Sequence, residues 1–164
     1  MNDTTESDYE ARIVTAVSAD EVYDALTTLE GLSAWWTPAT GDATAGGEIT
    51  FHFSEAAKAV MRVDDAQRGI GVRWTTVACM VEDWVGTTQH FQIEALPGGG
   101  AEIRFRHEGL TPKLECYADC KNGWDHFIPS LRSYLDTGIG NPTGSPADLA
   151  RREARANASA VGAA

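Results

Sequence analysis

The apolar residues Cys116, Cys120, Trp124, Phe127, Leu131 and Leu135 recur at steps of three and four, late in a chain otherwise punctuated for strands. That spacing lines one face of a helix. Residues 115–137 are read as this helix, with Gly138 as its C-terminal stop. A lone helix cannot bury such a stripe on itself, so the segments before it must supply a cover.

Those segments read as a sheet. Between residues 41 and 110, glycine pairs, Asp-Asp and Pro-Gly separate runs rich in aromatic and β-branched residues, the pattern of an antiparallel meander. Strands are predicted at 47–54, 57–65, 69–78, 84–96 and 100–109, with PGGG at 97–100 as the clearest hairpin turn. The acid pairs Asp64-Asp65 and Glu82-Asp83 are placed in turns. Residues 9–17 alternate as one more strand. Ser18, with Glu21 three residues on, caps a short helix with Val22, Ala25, Leu26 and Leu29 as its stripe. A second short helix runs from Glu30 to Trp36 and ends before Pro38, which disfavours helical geometry at Thr37.

A chain of 164 residues without repeats fits one domain. The expected division is a flexible N-terminus at 1–8, the domain at 9–142, and a flexible or weakly helical tail at 143–164, where RREARANASAVGAA offers no large apolar face. The net charge of -11 argues against nucleic acid or an anionic membrane surface as partner, since both are held chiefly through Lys and Arg. No apolar run approaches the roughly 20 residues of a membrane span, and MNDTTESDYE reads as no signal peptide, so a cytoplasmic location is expected. Cys79, Cys116 and Cys120, an odd number, read as reduced structural thiols. Cys116 and Cys120 share a helix face with His126 nearby, but no second ligand pair stands at a familiar zinc spacing. Neither a metal nor a cofactor is expected.

The stretches EGLSAWWTPATGDATAGGEITFHF, RFRHEGLTP and CKNGWDHFIPSLRSYLDTGIGNP resemble the AHSA1-like branch of the START-like superfamily, named for homologues of the Hsp90 ATPase activator and also labelled SRPBCC. The likeness spans roughly residues 9–142. Trp35, Trp36 and Pro38 match its tryptophan-proline segment, Gly46 and Gly47 its strand-opening glycines, and His107 the histidine closing its last strand. Gly123, Trp124, Phe127, Ser130, Leu131, Tyr134 and Gly138 match its C-terminal helix. The resemblance implies an α+β helix-grip fold (START-like, Bet v 1-like): a curved antiparallel sheet of about six strands wrapped around the long C-terminal helix, with two short helices after the first strand. It also implies a cavity between sheet and helix.

Nothing in the sequence reads as a nucleophile motif or a phosphate loop, and the histidines fall on separate elements. What stands out is aromatic residues alternating along strands that must face the helix. The expected wall of the cavity comprises Phe51, Phe53, Trp74, Phe91, Phe105 and His107 from the strands, with Trp124 and Phe127 from the helix. Trp35 and Trp36 complete it. Adjacent helical residues point about 100° apart, so one tryptophan is expected in the core and Trp36 at the rim as a gate. Binding of a small hydrophobic ligand, by a monomer or homodimer, is the leading expectation. Two alternatives stay open: a regulator of an Hsp90-type chaperone or other protein partner, and a cyclase- or hydrolase-like enzyme with His107 or His52 as general base.

Overall fold

The computed structural model describes residues 7–163, with side chains as far as Ala158. Its elements run β1 (Tyr9–Thr15), α1 (Ala19–Thr27), α2 (Leu29–Trp35), β2 (Ala39–Gly41), β3 (Glu48–His52), β4 (Lys58–Gln67), β5 (Gly71–Cys79), β6 (Thr88–Ala95), β7 (Ala101–Glu108), α3 (Tyr117–Thr137) and α4 (Pro146–Ala163). The sheet is antiparallel throughout, in the order β1-β7-β6-β5-β4-β3-β2. Its inner face meets α3 through Trp124, Phe127, Ile128 and Leu131, which join the sheet's buried residues in one core. This is the helix-grip arrangement, with seven strands where about six were expected. The additional strand is β2, which pairs with β3 through Ala39↔Phe51 directly after Pro38.

Local chemistry sets most of the boundaries. Ser18 accepts from the Glu21 N–H and starts α1, and Thr28 accepts from the Gly31 N–H and starts α2. Gly138 closes α3 at φ 83°, the left-handed cap that glycine adopts freely. Two strands begin later than expected. Ile70 belongs to a turn, its N–H bonded to the Gln67 carbonyl, and is exposed rather than facing α3 with Val72 and Trp74. Glu82–Trp84 forms a single 3₁₀ turn, and Gly86 at φ 92° separates it from β6. Asp64 and Asp65 lie within β4 at a register shift, not in a turn, where Asp64 bonds Arg62 and Thr75.

Contacts are present at the N-terminal end of the described residues and a helix at the C-terminal end. Of the N-terminal segment, 1–6 lies outside the described residues, while Asp8 is held by Arg106 and by the Gly109 N–H. The tail read as flexible or weakly helical carries the 18-residue α4. Ser145 Oγ accepts from the Asp148 N–H at its start, with Pro146 between them, a serviceable N-terminus for a helix. α4 docks through polar groups rather than an apolar stripe: Arg151 donates to Asn122 Oδ1, Arg155 donates to Asp119, and the Arg151 guanidinium sits 5.4 Å over the Phe127 ring. An apolar-periodicity criterion misses that kind of docking.

The connection from α3 to α4 is stitched to α2. Ser130 Oγ donates to the Trp35 carbonyl (2.7 Å), and the Thr143 N–H donates to the Trp36 carbonyl (2.7 Å). Ser130 Oγ also accepts from the Asn141 N–H. These bonds occupy carbonyls left open where α2 ends. A Cβ on Gly140 would stand 2.5 Å from the Ala34 carbonyl oxygen and 3.0 Å from Trp35 Cα, so this crossing requires glycine. Gly140→Ala is therefore expected to lower stability by about 1–3 kcal/mol, measured by urea unfolding; a neutral effect would show that the crossing has slack.

Candidate functional site

Rings fill the middle of the grip. The Trp36 ring lies 4.3 Å from Phe51, 4.9 Å from Trp124 and 6.2 Å from Trp74, centre to centre. Phe91 packs 5.1 Å from Trp74 and 4.8 Å from Phe105, and Phe105 packs 4.5 Å from Trp124. Aromatic pairs at such separations add to the area they bury.

Both tandem tryptophans point inward. Trp35 is fully buried and donates its Nε1–H to the Ala25 carbonyl (3.1 Å), while Trp36 is 2% exposed. The 100° argument holds only within a regular helix, and Trp36 is the residue that ends α2, at φ -115° and ψ -79°. Its ring folds back to stack on Trp35 with 18° between the planes. Trp36 is therefore no rim gate; it is a fixed, buried ring.

An apolar pocket of about 210 Å³ opens at one end of this cluster. Trp36 and Phe53 form one wall, and Met80, Val81 and Trp84 from the β5–β6 connection form a second. Cys120, Gly123, Trp124 and Phe127 on α3 form a third, with Arg151 and Arg152 of α4 at the mouth. Of the ten candidate residues, Trp36, Phe53, Trp124 and Phe127 thus line the pocket. The other six, Trp35, Phe51, Trp74, Phe91, Phe105 and His107, pack behind it as core. Phe51 and its neighbours face inward as expected, but the rings close on one another and leave the free space at the end of the grip.

Trp84, expected at the start of a strand and outside the wall, is a pocket residue. It stacks on Trp124 at 5.8 Å with 13° between planes and donates Nε1–H to Cys120 Sγ (3.1 Å). The Asp83-Trp84-Val85-Gly86 sequence, an acid before and a glycine after, was the available signal for a turn. Arg151 and Arg152 were missed with α4, although Ser145-Pro146 and Asp148 spell a helix start.

His107 is buried with both ring nitrogens engaged. Trp124 Nε1–H donates to Nδ1 (3.0 Å), so the proton of the neutral ring sits on Nε2, which lies 2.7 Å from Thr87 Oγ1. The Thr87 hydroxyl in turn donates to the Trp84 carbonyl (2.7 Å). Burial pushes the His107 pKa down to about 3. A neutral imidazole with its bare nitrogen taken by an indole N–H has no lone pair to offer a substrate. His52, the other candidate base, bonds Thr40 and is absent from the pocket lining, while its neighbour Phe51 turns inward. Burial raises the Cys120 thiol to about 12, so it stays protonated and unreactive near neutrality. Among the described residues no three His, Cys, Asp or Glu side chains converge as a metal site, and no helix is long and apolar enough to cross a membrane.

Residues 16–136 match the family described as Activator of Hsp90 ATPase homolog 1-like protein. The chain belongs to this family. The AHSA1 match ends inside α3, so α4 and the arginines at the pocket mouth lie beyond it. Among solved structures, the chain is similar to the Aha1 dimer from Colwellia psychrerythraea at 30% identity and a TM-score of 0.71, over 81% of this chain and 98% of that one. CalU16 from Micromonospora echinospora shares the fold at 17% identity and TM-score 0.65, over 93% of this chain and 85% of that one. DynU16, a putative protein in the dynemicin biosynthetic locus, does so at 19% identity and TM-score 0.62, over 80% of this chain but 48% of the other. No curated protein sequence matches. The AHSA1 fold is consistent with binding a hydrophobic ligand.

Proposed function

We propose that this AHSA1-family domain binds a small hydrophobic or amphipathic molecule in the aromatic pocket between α3, the β5–β6 connection and α4. The observation that carries the reading is Gly123. It stands in the interior of α3 on the pocket wall, and a Cβ built there meets nothing within 4 Å. Glycine inside a helix costs about 0.5–1 kcal/mol relative to alanine, so this position gives up helix stability while neither a turn nor a close approach requires it. What it leaves is open space beside Trp36, Trp84 and Trp124. Ligand pockets for drug-sized molecules run to about 300–1,000 Å³; the smaller volume here fits one or two fused rings or a short acyl chain.

Filling that space tests the reading without damaging the fold. Wild-type protein is expected to bind the flat neutral probe 2-naphthamide, followed by calorimetry. Gly123→Leu is expected to abolish binding while keeping or raising the melting temperature, because leucine favours the helix by up to about 1 kcal/mol over glycine. If neither 2-naphthamide nor the short acyl amides bind the wild type, the pocket reading fails and the protein-partner alternative replaces it.

The bacterial Aha1 relative is a dimer, and we carry a homodimer to this chain on that likeness. Light scattering after gel filtration checks it. A cytoplasmic location is proposed on the three free cysteines, which suit a reducing compartment.

A further inference from the structure

The charged residues that line the pocket are Asp119, Arg151 and Arg152. Asp119, on the α3 side, is taken by Arg155 (2.7 Å). Asp148 of α4, fully buried, is shared by Arg151 Nη2 (2.6 Å) and Arg152 Nε (3.0 Å). Burial alone would raise the Asp148 carboxyl; the Gly144 N–H and the two guanidinium groups outweigh it and hold the carboxyl below its usual range, so it is ionised. Three guanidinium groups therefore face two carboxylates. Within this cluster of five side chains one positive charge is in excess, on a chain of net charge -11.

The two arginines at the mouth are not equivalent. Arg151 is committed: Nη1 donates to Asn122, Nη2 to Asp148, its plane covers Phe127, and its side chain is 20% exposed. Its buried Nε has no hydrogen-bond partner among the described residues. Arg152 is 45% exposed and approaches Asp148 by Nε, so the outer edge of its guanidinium is available beside the pocket. A planar two-donor edge above an aromatic slot matches a planar carboxylate carried on a flat apolar body.

Resting on the pocket reading above, we infer that the ligand class is a small aromatic or acyl carboxylate, its body between Trp84, Trp124 and Phe53 and its carboxylate on Arg152. α4, outside the family match, then acts as the element that gives this pocket its preference for an anion.

The test compares 2-naphthoate with its neutral counterpart 2-naphthamide on the full chain by calorimetry. Wild type is expected to bind the carboxylate at least about tenfold more tightly, since a hydrogen-bonded charge pair outweighs a neutral contact. That margin should shrink as salt is raised. Arg152→Gln should erase the margin by weakening 2-naphthoate alone, and Arg152→Lys should restore part of it. Equal affinity of the wild type for both compounds would overturn the carboxylate assignment while leaving the pocket standing. An equal loss of both compounds in Arg152→Gln, with Arg152→Lys behaving like wild type toward both, would also overturn it, because Arg152 would then only hold α4 in place. Failure of both compounds and of the short acyl amides on wild type would remove the pocket itself.

Discussion

Trp36→Ala is expected to destabilise the protein by about 3–5 kcal/mol, as much as Trp124→Ala, because each removes a buried aromatic from a close-packed cluster. Both rings are 2% exposed, and they touch each other at 4.9 Å between centres. In a domain of this length the loss corresponds to a fall in melting temperature of roughly 6–20 °C. Chemical unfolding of the two variants side by side gives the comparison. If Trp36→Ala costs less than about 1 kcal/mol while Trp124→Ala costs several, Trp36 is a movable gate after all. Phe53, partly exposed at the pocket wall and 5.8 Å from Trp36, is the internal contrast: Phe53→Ala should cost clearly less than either.

The second large effect is a loss of stability in mild acid, traced to His107. Its folded pKa of about 3 lies below the ordinary value of 6.5, so the unfolded chain takes up a proton that the folded chain refuses. The contribution is fully present above pH 6.5 and is lost as the pH falls from there toward 3. Within that window the slope is about 1.4 kcal/mol per pH unit, or about 2 kcal/mol between pH 7 and pH 5. The carboxyls of Asp64, Glu102, Asp136 and Asp148 are all held low by their partners, so their losses begin only at more acid pH. Urea unfolding at pH 7 and pH 5 isolates the histidine. His107→Gln should be less stable at pH 7 but should lose little more by pH 5; the same pH dependence in wild type and variant would remove His107 as the cause.

What could be read from the sequence followed how regular each signal was. The stripe from Trp124 to Leu131, the cap at Ser18 and the stop at Gly138 are repeats or single-residue punctuation with a direct backbone consequence, and they land where expected. The inward face of β3 and β7 was legible for the same reason: Ile49 and Phe51 alternate with the half-buried Thr50 and His52, and Phe105 and His107 with the exposed Arg104, Arg106 and Glu108. Side-chain direction, however, says nothing about whether facing rings meet. Phe51, Trp74, Phe91 and Phe105 were expected around a void and instead fill it, an outcome set by volumes from five strands and two helices at once. Trp84 was misjudged because a tryptophan after two acids fits a strand start as well as a turn until Gly86 is given its positive φ. α4 was invisible to a search for apolar periodicity, since Asp148, Arg151 and Arg155 dock it by charge and hydrogen bonds.

The pairing of β1 with β7 sets the order in which the molecule can be completed. Tyr9 pairs with His107 and Thr15 with Ala101, so the first strand of this sheet to be synthesised has no partner until nearly the whole sheet has followed it. Closing so long a loop is entropically slow, and contacts of this range delay folding relative to local ones. During that wait β1 is an open strand edge, the kind of surface through which chains join one another. Glu10 and Arg12, charged on its exposed side, guard it against pairing with a second nascent copy. Replacing Glu10 with threonine, which leaves the ion pair of Arg12 with the buried Glu102 in place, should show little in the finished fold and appear instead as inclusion bodies during synthesis.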